Sequence, residues 1–190
     1  MESLKQFFDQ QTPVPPEAWE LIRSKFTEWD YEANENIVKE GQIVNYQIFI
    51  AQGITRTFYL KDGKEITVEF SFENSFASAY PSFFTGNVSR CYMAALEPVK
   101  AYKISKESLY ELYDNHKLGE RLGRIIVEKK FLIKEDREAT LLLDSPKERF
   151  MWLQEYHKDW IQRIPQQYLA SYIGISPETY SRYKASALHQ

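Results

Sequence analysis

A run of 28 residues without proline, from His116 to Leu143, divides this chain into a front part and a C-terminal segment. One long helix is the simplest interpretation of the run. The apolar residues at close to seven-residue spacing are Leu118, Leu122, Ile125, Leu132, Ala139 and Leu143, with Ile126 and Ile133 beside them. Lys129 and Asp136 interrupt this stripe. The stripe favours pairing with a second copy through residues 115–144. Packing on the chain's own front part is the alternative. Because the stripe is broad, we expect one side of the helix to pack on the front part and the other side to meet a partner helix.

The front part reads as many short β-strands. Between about residues 35 and 104, the sequence is a series of short runs such as "YQIFIAQG", "ITRTFYL" and "EITVEFSF". Asp62-Gly63 lies between two alternating runs and predicts a tight hairpin, because both residues accept the positive φ values of such a turn. Gly41 and Gly53 mark further turns. Residues 4–30 are expected to be a helical lead-in with apolar residues Trp19, Ile22 and Phe26. The pattern predicts a sandwich or barrel.

The C-terminal segment has the spacing of a helix-turn-helix. The long helix is expected to break at Asp144-Ser145-Pro146, with Ser145 capping the next helix. In "IPQQYLASYIGISPETYSRYKAS", residues 164–186, Pro165 suits a first helical position and Gly174 ends the first helix. Ser176 can cap a second helix that begins at Pro177. Two short helices crossing at a glycine turn are the expected result.

The outward face of this second helix carries the chemistry needed to read DNA. Tyr180 and Tyr183 are expected to turn inward. Arg182 can donate two hydrogen bonds to guanine, and Glu178 can accept one from cytosine. Ser181 and Thr179 suit phosphates or base edges. The predicted DNA-binding residues are Ser176, Glu178, Thr179, Ser181, Arg182 and Lys184. An ordinary solvent-facing ion pair between Glu178 and Arg182 is the alternative for those two side chains.

Net charge does not exclude this function. The whole chain carries −3, but residues 146–190 hold six basic and four acidic side chains, or +2, and the remainder carries −5. A weakly basic module should need a second copy for firm binding. The N-terminus shows no basic leader, and no run of about 18 apolar residues exists, so we expect a cytoplasmic protein without membrane contact.

Taken together, "VKEGQIVNYQIFIAQGITRTFYLKDGKEITVEF" and "YLASYIGISPETYSRYKA" resemble the CRP/FNR family of bacterial transcription regulators. The resemblance implies an α+β fold with an N-terminal antiparallel β-roll of the cyclic-nucleotide-binding jelly-roll type, a long dimerisation helix and a C-terminal helix-turn-helix. The corresponding domains are residues 1–114, 115–144 and 145–190. It further implies a homodimer that binds a palindromic site in double-stranded DNA, with Glu178 and Arg182 at base-reading positions and Ser176 as the helix cap.

The chain departs from that family at its effector site. "ENSFASAYPSFFTGNVSRCYMAAL" lacks the Gly-Glu pair of a cyclic-nucleotide phosphate cassette and offers Arg90 as its only cation. One cysteine, Cys91, and no histidine in the roll argue against iron–sulfur or haem sensing. Pro177 stands where some members have an arginine, and little chain follows the recognition helix, so base preference should differ. The candidate effector pocket is Phe72, Phe76, Tyr80, Phe83, Ser89 and Arg90. Whether a small effector binds there or the rings are simply core stays open.

An enzyme is not expected. His116, His157 and His189 all lie outside the roll, so no histidine metal cage is predicted in it, and no cofactor or metal is implied. No phosphate loop or nucleophile elbow is present. Glu65, Glu69 and Glu73 lie on one strand face at even spacing, where a solvated stripe is more plausible than a pair of catalytic acid–base groups. The alternative to a DNA-binding regulator is an effector-binding or protein-interaction module without DNA affinity.

Overall fold

The structure, a computed structural model, describes residues 1–187, so His189 lies outside the described residues. Nine helices and eight strands occur within residues 1–187. The helices are α1 Glu2–Gln11, α2 Pro16–Ser24, α3 Tyr80–Thr85, α4 Lys106–Asn115, α5 Lys117–Leu143, α6 Pro146–Tyr156, α7 Lys158–Arg163, α8 Gln166–Tyr172 and α9 Pro177–Ala187. The strands are β1 Phe26–Tyr31, β2 Asn36–Val38, β3 Tyr46–Gln52, β4 Thr55–Lys61, β5 Lys64–Ser71, β6 Ser75–Ala77, β7 Tyr92–Ala95 and β8 Val99–Ser105.

The strands form two four-stranded sheets, with the orders β1-β8-β3-β6 and β2-β7-β4-β5. Strands β1 and β8 pair antiparallel from Phe26 opposite Ile104 to Tyr31 opposite Val99. Inward-facing residues of both sheets, including Ile48, Ile50 and Met93, form one core in which these three side chains are fully buried. The antiparallel β-roll that the family resemblance implies is confirmed.

Packing divides the described chain into two compact units. Residues 1–59 and 69–129 form the first, here called the roll unit; residues 60–68 and 130–187 belong to the second, here called the C-terminal unit. Helix α5 is continuous from Lys117 to Leu143, as predicted, and contributes to both units. The domain boundaries predicted at residues 114 and 144 stay a prediction, because the units follow packing rather than the ends of this helix.

The helical lead-in predicted for residues 4–30 is wrong in its last part. Helix α2 ends at Ser24, and residues Phe26–Tyr31 form strand β1. The segment "FTEWDY" is rich in aromatic and β-branched residues, which suit a strand. Its backbone is satisfied by six residue pairs with β8, a partner that lies more than 65 residues away along the chain.

A second core in the roll unit contains a cluster of phenylalanine rings. Phe49 and Phe76 have ring centroids 5.3 Å apart, and Phe8 and Phe26 lie within 6.5 Å of each other and of Phe76. Leu122 of α5 is buried in the same cluster, with Leu118 and Ile126 packed against it. One side of the long helix therefore packs on its own roll, as the breadth of the stripe predicted.

The tight turns follow the predicted glycine chemistry. Asp62 and Gly63 have φ angles of 52° and 74°, the left-handed values that a two-residue hairpin between β4 and β5 needs. Gly41, at φ 86°, and Gly53, at φ 95°, also adopt this region. At Gly53 the backbone is crowded as well, because a Cβ there would stand 2.5 Å from the Pro98 carbonyl oxygen.

Replacing Gly53 by alanine should therefore lower the free energy of unfolding by about 2–4 kcal/mol, since strain at positive φ adds to a clash with backbone. Gly41→Ala is the matched control, because its φ is similar but nothing lies within 4 Å of the added Cβ. It should cost only about 1–2 kcal/mol. Urea unfolding followed by circular dichroism measures both, and equal midpoints for the two variants would contradict the crowding.

Within residues 1–187, no helix is both long and apolar enough to cross a membrane.

Candidate nucleic-acid interface

The interface is built on two short helices joined by a glycine turn. Helix α8 begins at Gln166, with Pro165 one position before it rather than at its first residue as predicted. Gly174 has a φ of 67°, its N–H donates to the Ser171 carbonyl, and the Ile175 N–H donates to the Ala170 carbonyl. This pair of bonds is the Schellman arrangement that ends a helix. The predicted stop at Gly174 is confirmed.

Helix α9 starts where the sequence predicted. The backbone N–H of Thr179 donates to the Ser176 hydroxyl at 3.2 Å, and Pro177 is the first helical residue. A hydrogen bond with the Ser176 side chain, followed by one from the backbone N–H of Glu178, lowers the pKa of the Glu178 carboxyl. Glu178 is therefore an anion and a hydrogen-bond acceptor at neutral pH.

The inward face of α9 is aromatic. Tyr180 is 1% exposed, and its ring lies edge-on to Phe150 with centroids 5.1 Å apart. Tyr183 is half-buried and contacts the same ring at 5.5 Å. Both tyrosines turn inward, as predicted, and anchor α9 on α6.

The opposite face of α9 is exposed to solvent. Thr179 is half-buried against Ser176, and the two hydroxyl oxygens are 3.2 Å apart. In the part of the chain that the structure describes, no ion pair joins Glu178 to Arg182; the Arg182 guanidinium lies 5.5 Å from the Tyr183 ring centroid. The alternative of an intrahelical ion pair is therefore not what the structure shows. The exposed residues among those predicted to bind DNA are Ser176, Glu178, Ser181, Arg182 and Lys184.

One contact on this surface was not predicted. The Gln166 side-chain amide, at the first position of α8, donates to the Ser181 hydroxyl of α9 at 2.6 Å. The two residues are 15 positions apart, and no local pattern in the sequence signals the pair. Gln166 thereby joins the candidate surface.

Arg149 of α6 supports the turn from behind. It is 8% exposed; its Nε donates to the Ile173 carbonyl at 2.7 Å, and its Nη1 donates to the carbonyls of Asp144 at 2.6 Å and Leu141 at 3.4 Å. One guanidinium thus joins the end of α5, the hinge and the helix-turn-helix. Arg149 is one of the six basic residues in the predicted charge of residues 146–190, but its hydrogen-bond donors are used inside the protein. The other charged residues of this segment are five basic and four acidic, a net charge of +1.

The hinge has the predicted capping. Ser145 accepts from the Glu148 N–H at 3.3 Å, and the Glu148 carboxylate accepts from the Ser145 N–H at 2.7 Å, a reciprocal capping box ahead of α6. A hydrogen bond with the Ser145 side chain, followed by the one from the Ser145 backbone N–H, lowers the pKa of the Glu148 carboxyl. Side-chain hydrogen bonds to the backbone therefore fix the turn between α5 and α6.

The β4–β5 hairpin tip contacts α8 inside the C-terminal unit. The Ser171 hydroxyl accepts from the Thr67 N–H at 2.9 Å and donates to the Glu65 carbonyl at 3.0 Å. Arg137 of α5 donates to the carbonyls of Thr67 and Tyr172, both at 3.1 Å. Strand β5 lies at the edge of its sheet, so these side chains satisfy edge backbone groups that would otherwise face solvent.

The residues of the predicted effector pocket include one that fills a core. Phe76 belongs to the phenylalanine core described above and fills space there. Tyr80 and Phe83 lie on α3, where Tyr80 stacks on Phe84 with centroids 5.9 Å apart. Burial of the hydroxyl, with a smaller effect from Glu69, raises the pKa of Tyr80. Phe72 is half-buried. A pocket lined by Phe72, Tyr80 and Phe83 stays a prediction.

The segment between β6 and β7 does not fit a cyclic-nucleotide phosphate. The Ser89 hydroxyl is buried and donates to the Cys91 carbonyl at 2.9 Å, so its proton is used inside the protein. Arg90 is exposed to solvent, and no Gly-Glu pair precedes it. Elsewhere in the roll unit, α2 and the α4–α5 junction line a cleft of about 220 Å³ that was not predicted from the sequence; its lining includes Leu21, Ile22, Leu112 and Leu118.

Within the described residues, no group of three His, Cys, Asp or Glu side chains is placed to hold a metal ion.

Comparison with known proteins agrees with this architecture. The profile of the cyclic nucleotide-binding domain family matches residues 28–116. FixK2 from Bradyrhizobium japonicum superimposes with a TM-score of 0.71 at 20% identity, over 86% of this chain and 84% of that one. The c-di-GMP responsive global regulator CLP from Xanthomonas campestris gives a TM-score of 0.72 at 15% identity, over 90% of each chain. A protein described as a transcriptional regulator of the CRP/FNR family, from Eubacterium rectale, gives 0.69 at 15% identity, over 94% and 85%.

This chain has the CRP/FNR fold. The likeness extends through the roll, the long helix and the C-terminal helices, and the suspected resemblance is confirmed at the level of the fold. No curated protein sequence matches the chain. CLP and the Eubacterium rectale protein are described as regulators, which is consistent with the expectation of a non-enzyme. The ligand of this chain is therefore inferred from its own residues.

Proposed function

We propose that this protein is a sequence-specific DNA-binding transcription regulator that acts as a homodimer. The observation that carries the proposal is the orientation of α9, which buries Tyr180 and leaves Glu178, Ser181, Arg182 and Lys184 on the exposed side. A helix with one apolar anchor and an exposed row of hydrogen-bonding side chains suits the major groove. The fold of known regulators supports the same reading.

Base reading is assigned to Arg182 and Glu178. The Arg182 guanidinium can donate two parallel hydrogen bonds to the O6 and N7 atoms of guanine. The Glu178 carboxylate, whose lowered pKa keeps it ionised, can accept from the N4 amino group of cytosine. Lys184, two residues beyond Arg182, suits a phosphate.

The second copy is expected to pair along α5. Leu132 and Phe131 are each 60% exposed, Ile133 is 54% exposed, and Leu142 and Leu143 are 76% and 81% exposed. Apolar side chains this exposed on one helix are costly in water and favour burial against an identical helix. Within residues 115–144, to which we assign dimerisation, Leu122 packs on the roll and the exposed apolar residues named here lie between Phe131 and Leu143. The contact with the second copy is therefore expected mainly along the C-terminal half of α5.

An effector, if one binds, would act through the long helices. A ligand that binds one arrangement of the paired α5 helices more tightly than another would shift the population of the two. The capped hinge at Ser145 would transmit that shift to α9. The segment between β6 and β7 lacks the Gly-Glu pair that holds a cyclic nucleotide in the usual way, and its aromatic residues suit a small apolar or planar molecule.

Arg182→Ala should weaken binding to a preferred duplex by about 1–3 kcal/mol and relax base preference at one position in each half-site. Lys184→Ala is the comparison variant: it should weaken binding about equally for all sequences and reduce the salt dependence by about one unit of slope. Fluorescence anisotropy over a salt series, with a panel of single base-pair changes, measures both. Identical base profiles for wild type and Arg182→Ala would show that Arg182 does not read a base. If the wild type preferred no duplex over any other, the proposal of sequence-specific DNA binding would be wrong.

A further inference from the structure

The contact between Gln166 and Ser181 determines what the serine can do. The Gln166 amide donates to the Ser181 oxygen at 2.6 Å, so the serine acts as an acceptor inside the protein. A serine in a helix often donates its own proton to the carbonyl four residues earlier, as Ser186 does to Arg182 at 3.0 Å. In the described part of the chain, Ser181 makes no such bond. Its hydroxyl proton is therefore available to an outside acceptor.

Gln166 contributes a second donor at the same place. A glutamine amide carries two N–H bonds, and one of them is used on Ser181. Gln166 is half-buried and Ser181 is exposed, so the pair lies at the surface where α8 meets α9. The second N–H of Gln166 and the O–H of Ser181 are two neutral donors that one acceptor group can take together. A phosphate oxygen is such an acceptor, and phosphates are commonly bound by Ser and Gln side chains.

The position of the pair favours the phosphate backbone over a base. In a helix-turn-helix, the second helix lies in the groove while the first helix crosses the backbone. Ser181 faces the first helix, because it is bonded to the first residue of α8. It therefore lies on the side of α9 nearest the first helix, where the phosphate backbone is expected to pass.

We propose that Gln166 and Ser181 form one composite phosphate-binding site, in which Gln166 positions the serine hydroxyl and both donate to the same phosphate. The inference rests on the proposed function. The sequence left Ser181 suited to a phosphate or to a base edge, and the contact with Gln166 assigns it to the phosphate backbone of DNA. Such a contact fixes the register of α9 on the duplex and carries no base preference.

A double-mutant cycle on the full-length protein tests the site. With a duplex that the wild type selects, Ser181→Ala should weaken binding about tenfold. Gln166→Ala should weaken it more, because it removes its own hydrogen bond and the positioning of the serine. The double variant should lose about as much as Gln166→Ala alone, which is less than the sum of the two single losses. The base profile should stay that of the wild type in all three. Ser181→Thr, which keeps the hydroxyl, should restore most of the affinity.

Gln167→Ala is the matched control, because this neighbouring glutamine is exposed and makes no contact with Ser181 in the described chain. Its effect should add to that of Ser181→Ala. Additive losses for Gln166 and Ser181 would overturn the composite site, and so would a change of base preference at one position in Ser181→Ala. Absence of any selected duplex for the wild type would overturn the proposed function itself and this site with it. The two failures are therefore distinguishable.

Discussion

Replacing Arg149 by alanine should destabilise the C-terminal unit by about 3–5 kcal/mol. The guanidinium is the common donor to the carbonyls of Leu141, Asp144 and Ile173, and removing it leaves buried acceptors without their partner. Each unsatisfied buried acceptor costs about 1–3 kcal/mol. Because Asp144 belongs to the hinge and Ile173 to the helix-turn-helix, loss of the arginine should loosen both together.

Hydrogen exchange followed by mass spectrometry resolves this effect by segment. Peptides covering residues 166–180 should exchange more than about 100-fold faster in Arg149→Ala, by the conversion of about 1.4 kcal/mol for each factor of ten. Peptides from the roll unit should change little. Lys147→Ala, an exposed position on the same helix, should leave exchange unaltered. Arg149→Lys keeps the charge but only one donor nitrogen, and should fall between the two. Unchanged protection in Arg149→Ala would show that the three carbonyls do not depend on it.

Leu132→Glu should convert the protein to a monomer and weaken binding to a symmetric duplex by about 100-fold or more. Leu132 is 60% exposed in the single chain, so a glutamate there should not disturb the fold of one copy. In a pair of α5 helices, the same position would bury two like charges against each other. A monomer loses the gain from binding a second, tethered half-site, which is of the order of 10²–10⁴.

Light scattering after size-exclusion chromatography measures the mass, and anisotropy measures the affinity. Leu60→Glu is the control, because Leu60 is 46% exposed but lies on β4. That variant should keep the wild-type mass. A wild-type protein that is monomeric at every concentration would end the proposal for residues 115–144. If Leu132→Glu remained a dimer with unchanged affinity for the duplex, the dimer interface would have to lie on another surface.

Features that depend on neighbouring residues could be predicted from the sequence. The hairpin at Asp62-Gly63 and the stop at Gly174 each require a backbone conformation that few residue types accept, and those types stand in place. The Ser145 and Ser176 caps are likewise decided within four residues. The antiparallel roll followed by a long helix could be predicted because the period of the apolar residues changes where the structure changes.

Features that depend on distant partners could not. Phe26 continues the helical spacing of Trp19 and Ile22, but pairing with β8 makes its segment a strand. Composition alone does not distinguish a ring that lines a pocket from one that fills a core, and Phe76 turned out to fill a core. Arg149 could be read from the sequence only as a positive charge, because the three carbonyls it holds lie between 5 and 24 residues away.

The central claim is that two copies of α9 are presented to two successive major grooves. Selection of duplexes from a random pool by the wild-type, full-length protein tests it most directly. The account predicts enrichment of a two-fold symmetric sequence whose half-sites are centred about one helical turn, roughly 34 Å, apart. Enrichment of an unpaired half-site, or of no sequence at all, would contradict it.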